Sequence, residues 1–238
     1  MIYIIFDQIK KTPTIFLFYL YILLQFIFYL LLYTTNIFVY HLGCYSVIIF
    51  GLIVSTTIFL KYRVKYTYLI VFAQLFTLIS DTFLVLLDDY YLIALSSFII
   101  VQIFYYLYIL SLIHFKLNKT HNIIFIIRIV IFIAILGLFT FMKIVDLLVF
   151  LALEYFAFLL FNFVESILVF KSNILLPFGL FLFILCDLCV GCYNIIDIID
   201  IKQNNIIYFI ANFQINLSWI FYHPSQVILS LCGLFDKK

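Results

Sequence analysis

The chain has 238 residues, of which 68% are hydrophobic and only 10% are charged, and its formal net charge is +2. Soluble domains carry about 25% charged residues, so this composition excludes a soluble globular protein, and the low Gly and Pro content excludes collagen-like and disordered chains. The small, scattered positive charge also argues against a nucleic-acid partner. The sequence therefore predicts an integral membrane protein that lies in a lipid bilayer.

Eight apolar segments follow one another along the chain, each close to the ~20 residues that a membrane helix needs. They cover 14–35, 37–60, 66–87, 91–114, 122–142, 144–169, 173–194 and 206–233. The weakest breaks between them are at Asn36 and Lys143. The first segment is too long for a signal-peptide core and no small-residue cleavage site follows it, so we expect it to remain as the first span. The predicted fold is all-α, a single polytopic bundle of about eight transmembrane helices over residues 1–238.

Basic residues predict how this bundle is oriented, because Lys and Arg in short loops favour the cytoplasmic side. With an inside N-terminus, the inner segments hold Lys10, Lys11, Lys61, Arg63, Lys65, Lys116, Lys119, Lys171, Lys237 and Lys238. The outer segments hold only Lys143 and Lys202. We therefore expect both termini in the cytoplasm (N-in/C-in), with the protein in the cell membrane if its source is bacterial.

Two aspartates, Asp81 and Asp187, lie inside these apolar segments. An ionised carboxylate in hydrocarbon is costly, so such a residue is a functional-site hypothesis by default. Asp81 is six residues from the outer end of its span and Asp187 is seven from the outer end of its own. At a rise of about 1.5 Å per residue, both lie ~10 Å below the outer boundary. Glu154 falls at a similar depth and Gln102 nearer the middle of the bilayer.

Other polar residues recur at helical spacing and so share helix faces. In the third segment Asp81 lies on a stripe with Gln74 and Thr77, and Ser80 lies beside it. Further stripes group Gln102 with Tyr105, Glu154 with Asn162 and Glu165, and Gln214 with Ser218, Tyr222 and Gln226. A polar stripe on a membrane helix faces the bundle interior or a water-filled cavity. Such residues also join helices by hydrogen bonds, which is an alternative for Gln74, Asn162 and Gln214.

Three more charged residues have structural explanations. Glu165 and Asp146 lie near the ends of their spans, where we expect water to solvate them. Arg128 lies inside a span, where it either balances a carboxylate or extends its side chain toward the inner surface.

The cysteines do not indicate a metal site. Cys186, Cys189 and Cys192 repeat at every third position, but no His accompanies them. A buried Cys behaves as a small hydrophobic residue, so packing explains the three better than metal binding does. We expect no metal and no cofactor.

The stretch FAQLFTLISDTFLVLLDDYYLIALSSFIIVQIFYYLYI resembles the signature of the YhhN family, the eight-span lysoplasmalogenases. That family has a Ser-x-x-Gly-Asp element at the end of one span. The next span carries an aromatic residue, a His four positions later and a Tyr three positions after that. The matching residues are Thr77, Ser80 and Asp81 in the first element and Phe98, Gln102 and Tyr105 in the second.

Two later stretches extend the resemblance over roughly 66–110 and 175–233. GLFLFILCDLCVGCYN is similar to a family element in which apolar residues lead to Ser-Asp, and SWIFYHPSQVILSLCG is similar to the last span. The matching residues there are Cys186 and Asp187, then Tyr222 and Gln226. The chain departs from the family at Ser80, Gln102 and Cys186, where the pattern has Gly, His and Ser. Gln cannot shuttle a proton as His does.

The resemblance implies a hydrolase that cleaves the vinyl ether of a lysoplasmalogen to a fatty aldehyde and a glycerophospho-alcohol. Asp81 and Asp187 would be the catalytic acid and base, since protonation of the enol ether gives an oxocarbenium ion, a problem that glycosidases also solve with two carboxyl groups. The residues expected to position water or the lysophospholipid head group are Thr77, Ser80, Gln102, Tyr105, Glu154, Tyr222 and Gln226. No metal is required for this reaction.

Two other functions stay open. In a proton-coupled carrier, Asp81 and Asp187 would bind protons or a cation, although the chain has neither repeated halves nor a pair of Gly/Pro-broken helices. In a non-catalytic relative, the chain would bind lipid or assemble with partners, which the Gln at position 102 favours.

Overall fold

A computed structural model describes residues 13–31, 37–62, 65–116, 119–142, 146–196, 202–203, 205–213 and 216–234, without the side chains of 13–17, 37–41 and 142. These residues form helices and no β-strand. Six of the helices are long and apolar enough to cross a membrane. Both findings confirm the predicted all-α class and the membrane character of the protein.

Nine α-helices make up the described part of the chain. They are α1 (Pro13–Leu31), α2 (Ile37–Tyr62), α3 (Tyr68–Asp81), α4 (Tyr91–Leu112), α5 (Lys119–Met142), α6 (Leu147–Leu168), α7 (Leu175–Ile195), α8 (Ile206–Ala211) and α9 (Leu217–Ser230). Each of the first seven predicted segments overlaps one of these helices. A short 3₁₀ turn, Cys232–Leu234, follows α9.

The eighth predicted segment, 206–233, is not one helix. It is divided into α8 and α9. Asn216 lies between them and its side-chain oxygen accepts a hydrogen bond from the amide of Ser218 at 3.1 Å. An Asn in this position satisfies a backbone donor at a helix start, so the chain begins a new helix here.

The third predicted segment, 66–87, changes its helical form at Asp81. The α-helix ends there and Thr82–Leu87 continues as a π-helix. Asp88 and Tyr90 then adopt left-handed backbone conformations, with φ of 48° and 56°. This conformation is uncommon for residues other than Gly, and it turns the chain from the end of the π-helix into α4 within three residues.

Six helices pack in a closed ring. Around it, α2 contacts α3, α3 contacts α4, α4 contacts α6, α6 contacts α7, α7 contacts α9, and α9 returns to α2. Helix α1 packs outside this ring against α2, and α5 packs outside it against α6. Large apolar side chains on α5 are exposed, among them Phe125, Ile126, Val130 and Ile133. A membrane helix needs such a surface toward lipid.

Small residues bring α7 and α9 close together. Ser225 donates its hydroxyl hydrogen bond to the carbonyl of Gly179 at 2.8 Å. A Cβ atom on Gly179 would lie 2.8 Å from the side chain of Leu229. Close approach at small residues and hydrogen bonds between helices are typical of membrane bundles. This contact holds α9 against the helix that carries Asp187.

Several predicted features lie outside the described residues. These are the breaks at Asn36 and Lys143, the polar residue Gln214, and the basic residues Lys10, Lys11, Arg63, Lys237 and Lys238.

Candidate active site

Asp81 is the last residue of α3 and its side chain is buried, with 4% exposed. The hydroxyl of Tyr222, on α9, donates a hydrogen bond to Oδ2 of Asp81. Tyr45, on α2, donates its hydroxyl at 3.4 Å to the backbone carbonyl of the same aspartate. Three helices therefore meet at Asp81.

Asp187 lies on α7 and is half-buried, so it is the more accessible of the two aspartates. The hydroxyl of Tyr155, on α6, donates to Oδ2 of Asp187 at 2.6 Å. Tyr155 is itself buried, as is Cys186, which precedes the aspartate. The second carboxylate is thus oriented in the same way as the first, by a tyrosine from a neighbouring helix.

Two phenylalanine rings connect the two tyrosines. Phe98, on α4, packs against Tyr155 with ring centroids 5.3 Å apart. Phe98 also meets Phe183 edge to face at 5.9 Å. Phe183 in turn meets Tyr222 at 5.7 Å. The four rings form a continuous aromatic frame that fixes both tyrosine hydroxyls, because aromatic pairs prefer such offset and edge-on arrangements.

Asp81 and Asp187 are linked through this frame, because Tyr222 and Tyr155 stand at its two ends. Within the described residues, neither forms an ion pair with Lys or Arg. Each accepts a tyrosine hydroxyl at Oδ2, and no hydrogen bond from a described residue reaches the Oδ1 atom of either. One oxygen of each carboxyl group is therefore available to contact a bound molecule.

Thr77 and Ser80 are buried beside Asp81, and each hydroxyl is bound to a backbone carbonyl. Thr77 donates to Ala73 within α3 at 2.9 Å. Ser80 donates to Ala94 of α4 at 2.8 Å. Ser80 thus joins two helices at the site, and Thr77 satisfies its hydroxyl within its own helix.

Tyr105 and Gln226 belong to a buried amide cluster around Gln74. The side chain of Gln74 donates to Oε1 of Gln226 at 3.2 Å, and the hydroxyl of Tyr105 lies beside Gln74. All three side chains are fully buried. The absence of a side chain at Gly51 makes room for Gln74, since a Cβ atom there would lie 2.9 Å from Oε1 of Gln74.

Gln102 and Glu154 lie outside the contacts of the aspartates. Asn162 donates to the backbone carbonyl of Gln102 at 2.8 Å and to its Oε1 at 2.9 Å. Glu154 lines a cavity on the α5 side of α6. Successive residues of a helix point about 100° apart, so when Tyr155 faces Asp187 the preceding Glu154 must face elsewhere.

Glu165 is not solvated, which corrects the expectation for the end of its span. It is fully buried, and Nη2 of Arg128 donates to its Oε2 at 2.9 Å. Arg128 supplies the counter-charge that makes this burial possible, so the first of its two predicted roles is the observed one. Asp146 is exposed, as expected, and caps α6 by accepting from the amide of Leu148 at 2.9 Å.

Tyr155 is the site residue that sequence reasoning missed. Its spacing of seven residues from Asn162 places both on one face of α6. This spacing predicts that Tyr155 faces the bundle interior, but it does not identify Asp187 as its hydrogen-bond partner.

The two tyrosine–aspartate pairs draw on α3, α6, α7 and α9, and α4 contributes Phe98 to the frame between them. Chemically, such a site offers two carboxyl groups and a low-dielectric surrounding. Comparison of the chain with protein-family models, with curated proteins and with solved structures finds no match.

Proposed function

We propose that the chain is a membrane-embedded hydrolase of the lysoplasmalogenase type, which cleaves the vinyl ether bond of a lysoplasmalogen to a fatty aldehyde and a glycerophospho-alcohol. The observation that carries the proposal is the pair of carboxyl groups linked by one aromatic frame, each accepting a tyrosine hydroxyl at one oxygen while no described residue donates to the other. The resemblance to the YhhN family supports the same reaction, because Asp81 and Asp187 stand at its two aspartate positions.

Two carboxyl groups suffice for each proton transfer in this reaction. One aspartic acid protonates the enol-ether carbon, which leaves an oxocarbenium ion beside the new carboxylate. The other carboxylate takes a proton from water while the water oxygen bonds to the cationic carbon. The resulting hemiacetal collapses when the second aspartic acid protonates the departing alkoxy oxygen and the first carboxylate takes the hydroxyl proton. Both groups then return to their starting states, as paired carboxyls do in glycosidases.

The site would be reached from the bilayer. We propose eight spans with both termini in the cytoplasm, in which α8 and α9 together form the last span. The excess of basic residues in the segments that would be inner supports this orientation. Asp81 and Asp187 would then lie ~10 Å below the outer boundary. A lysophospholipid could enter sideways with its tail among apolar side chains and its glycerol end at that depth. Protease protection of tags placed after Lys238 and in the 88–90 turn tests the orientation.

The activity is tested with purified protein in detergent, lysoplasmalogen as substrate and aldehyde release as the measurement. We expect Asp81→Asn and Asp187→Asn each to lower turnover at least ~100-fold, because general acid–base groups contribute about 10²–10⁴-fold. Asp88→Asn is the matched control. Asp88 is an exposed carboxylate in the turn that follows the π-helix, and we expect its variant to keep wild-type turnover.

Other outcomes would select other functions. Wild-type turnover in both Asn variants would refute the two-carboxylate mechanism. Proton-driven uptake by the protein in liposomes, without aldehyde release, would identify a carrier. Binding of lysolipid with neither turnover nor uptake would identify a non-catalytic lipid-binding protein.

A further inference from the structure

The face of α7 that carries Asp187 changes from buried to exposed along the helix. Positions three or four apart share a helix face, and on α7 one such face carries Leu180, Phe183, Asp187, Gly191 and Asn194. Leu180 and Phe183 are fully buried. Asp187 is half-buried, and Gly191 and Asn194 are exposed. The bundle is therefore closed on the side of Asp187 toward the start of α7 and open on the side toward its end.

Helix α6 shows the same change on the face that carries Tyr155. Tyr155 and Leu159, which lies four residues further along α6, are both buried. Leu148 and Ala152, toward the start of α6, are only half-buried. A short connection joins the end of α6 to the start of α7 and the two helices pack together, so the start of α6 lies beside the end of α7. Both helices therefore leave space at the same end of the bundle.

Gly191 keeps this space clear. A Cβ atom on Gly191 would meet no heavy atom of the described residues within 4 Å, whereas one on Gly179, in the buried part of the same helix, would lie 2.8 Å from Leu229. Seven residues separate Asp187 from Asn194, so at about 1.5 Å per residue the open face leads ~10 Å from the carboxyl group toward the end of α7. We call the space bordered by Leu148, Ala152, Gly191 and Asn194 the α6–α7 opening.

The second carboxyl oxygen of Asp187 is accessible from this opening. Oδ2 accepts from Tyr155 at 2.6 Å, and Oδ1 has no hydrogen-bond partner among the described residues. Unpaired polar atoms such as Nε2 of Gln102 and Nε2 of Gln226 are enclosed by protein, but Oδ1 of Asp187 is not one of these enclosed atoms. A carboxylate oxygen exposed to hydrocarbon would be energetically costly. The opening beside Asp187 is therefore better filled by water than by lipid tails.

Asp81 is more enclosed than Asp187. Only 4% of it is exposed. Tyr222 donates to its carboxyl group and Tyr45 to its backbone carbonyl. Water that enters beside the end of α7 therefore meets Asp187 first.

We propose that water reaches the site through the α6–α7 opening and that Asp187 takes the proton from the attacking water. Asp81 is then the acid that protonates the enol-ether carbon. The water oxygen bonds to the oxocarbenium carbon while its proton passes to Oδ1 of Asp187, which gives the hemiacetal and a neutral Asp187. This assignment of roles rests on the proposed hydrolase function, whereas the path for water does not.

Carboxyl labelling of the full-length protein in lipid nanodiscs tests the path. One reagent is a cationic, water-soluble carbodiimide with glycinamide, and the other is dicyclohexylcarbodiimide, which partitions into the bilayer. Mass spectrometry measures the modification of Asp187, with the exposed Asp146 as the internal reference. We expect the water-soluble reagent to label Asp187.

A matched pair of glycine variants tests the opening itself. Gly191→Trp places an indole ring in the opening and should lower the labelling of Asp187 by the water-soluble reagent at least ~10-fold. Gly137→Trp, on α5, is the control, because a Cβ atom there also meets no heavy atom of the described residues within 4 Å. It should leave the labelling unchanged. Melting in detergent checks that the variants fold, and Asn194→Trp replaces Gly191→Trp if the latter does not.

Rescue by formate tests the roles of the two aspartates. Formate is a carboxylate small enough to enter from water. In Asp187→Ala it should raise the rate of aldehyde release at least ~10-fold, because a general base contributes about 10²–10⁴-fold. Adding Gly191→Trp to this variant should remove the rescue. Asp81→Ala should not be rescued, because a carboxylate cannot replace the proton donor.

Different results would overturn the two parts of the proposal. Labelling of Asp187 by dicyclohexylcarbodiimide alone or by neither reagent, or undiminished labelling in a folded Gly191→Trp variant, would refute the path. Formate rescue of Asp81→Ala, or of neither variant, would refute the assignment of roles. A wild-type protein that releases no aldehyde would refute the proposed function, and the labelling would still decide the path for water.

Discussion

Tyr155 on α6 and Asp187 on α7 are joined by a hydrogen bond of 2.6 Å between the tyrosine hydroxyl and Oδ2. The same relationship recurs between Tyr222 and Asp81. In each pair the two residues come from different helices, so the direction of each carboxyl group depends on helix packing. A rigid aromatic frame is a low-cost way to hold two acidic groups in one orientation, because tyrosine rings have few rotatable bonds.

Removing either tyrosine hydroxyl should impair the site while leaving the fold intact. In the assay of the proposed activity, we expect Tyr155→Phe and Tyr222→Phe each to lower the rate of aldehyde release by about 10- to 100-fold. A hydrogen bond to a charged group contributes about 1.5–3 kcal/mol. Tyr91→Phe is the control, since Tyr91 donates to Asp88 at 2.6 Å in an exposed turn. Its turnover should stay within about twofold of wild type. Full turnover in Tyr222→Phe would mean that this tyrosine does not position Asp81.

Breaking the ion pair between α5 and α6 should destabilise the bundle. Arg128→Met leaves the buried carboxylate of Glu165 beside only the imidazole of His121, whose Nδ1 lies 3.8 Å from Oε1, and this should lower the free energy of unfolding by about 3–5 kcal/mol. The double variant with Glu165→Met removes both charges and should be more stable than Arg128→Met alone. Chemical unfolding in detergent measures both, with the exposed Lys116→Met as a neutral control. A double variant less stable than either single one would contradict this account.

The close contact of α7 and α9 predicts that an alanine substitution costs more stability at Gly179 than at other glycines. Gly179→Ala would place a methyl group 2.8 Å from Leu229, whose side chain is fully buried, so we expect a loss of about 1–3 kcal/mol of stability. Gly137→Ala and Gly191→Ala meet no heavy atom within 4 Å and should be neutral or slightly stabilising. Melting temperatures of the three variants check this. Equal losses at all three positions would show that packing against Leu229 is not the cause.

Asn173 is predicted to be a structural link between three parts of the bundle. Its Oδ1 accepts from the amide of Leu175 at the start of α7, and its Nδ2 donates to the hydroxyl of Tyr108 and the carbonyl of Cys232. Asn173→Ala should therefore cost about 1–3 kcal/mol. Asn212→Ala, at the exposed end of α8, should change stability by less than about 0.5 kcal/mol. The measurement is thermal unfolding, and a milder effect of Asn173→Ala than of Asn212→Ala would refute the link.

Hydropathy predicts most of the helices because a backbone in lipid must satisfy its own hydrogen bonds, so a long apolar segment has few alternatives to a helix. The two aspartates can also be identified from the sequence as candidate functional residues, because a carboxylate in lipid is energetically costly. The break between α8 and α9 is harder to predict, because Asn212 and the capping residue Asn216 alternate with apolar residues and do not form a continuous polar loop.

The partners of the aspartates could not be predicted, because hydropathy does not reveal which helices are neighbours. Helix α5 follows α4 in sequence, but it packs outside the ring, and α6 takes the place between α4 and α7. That arrangement brings Tyr155 to Asp187 and turns Glu154 toward α5. Tyr155 and Glu154 are consecutive residues of α6, and they face the candidate active site and the cavity beside α5 respectively.

The π-helix that follows Asp81 has a consequence for how the chain tolerates changes in length. A π-helix closes each hydrogen bond over one residue more than an α-helix does. Deleting one residue within Thr82–Leu87 would let this stretch revert to α-helical geometry, with the turn into α4 kept in place. The same deletion within α3 would rotate Asp81 by about 100° relative to the start of α3, away from Tyr222. Homologues of this protein should therefore lose or gain single residues after the aspartate and keep a constant length before it.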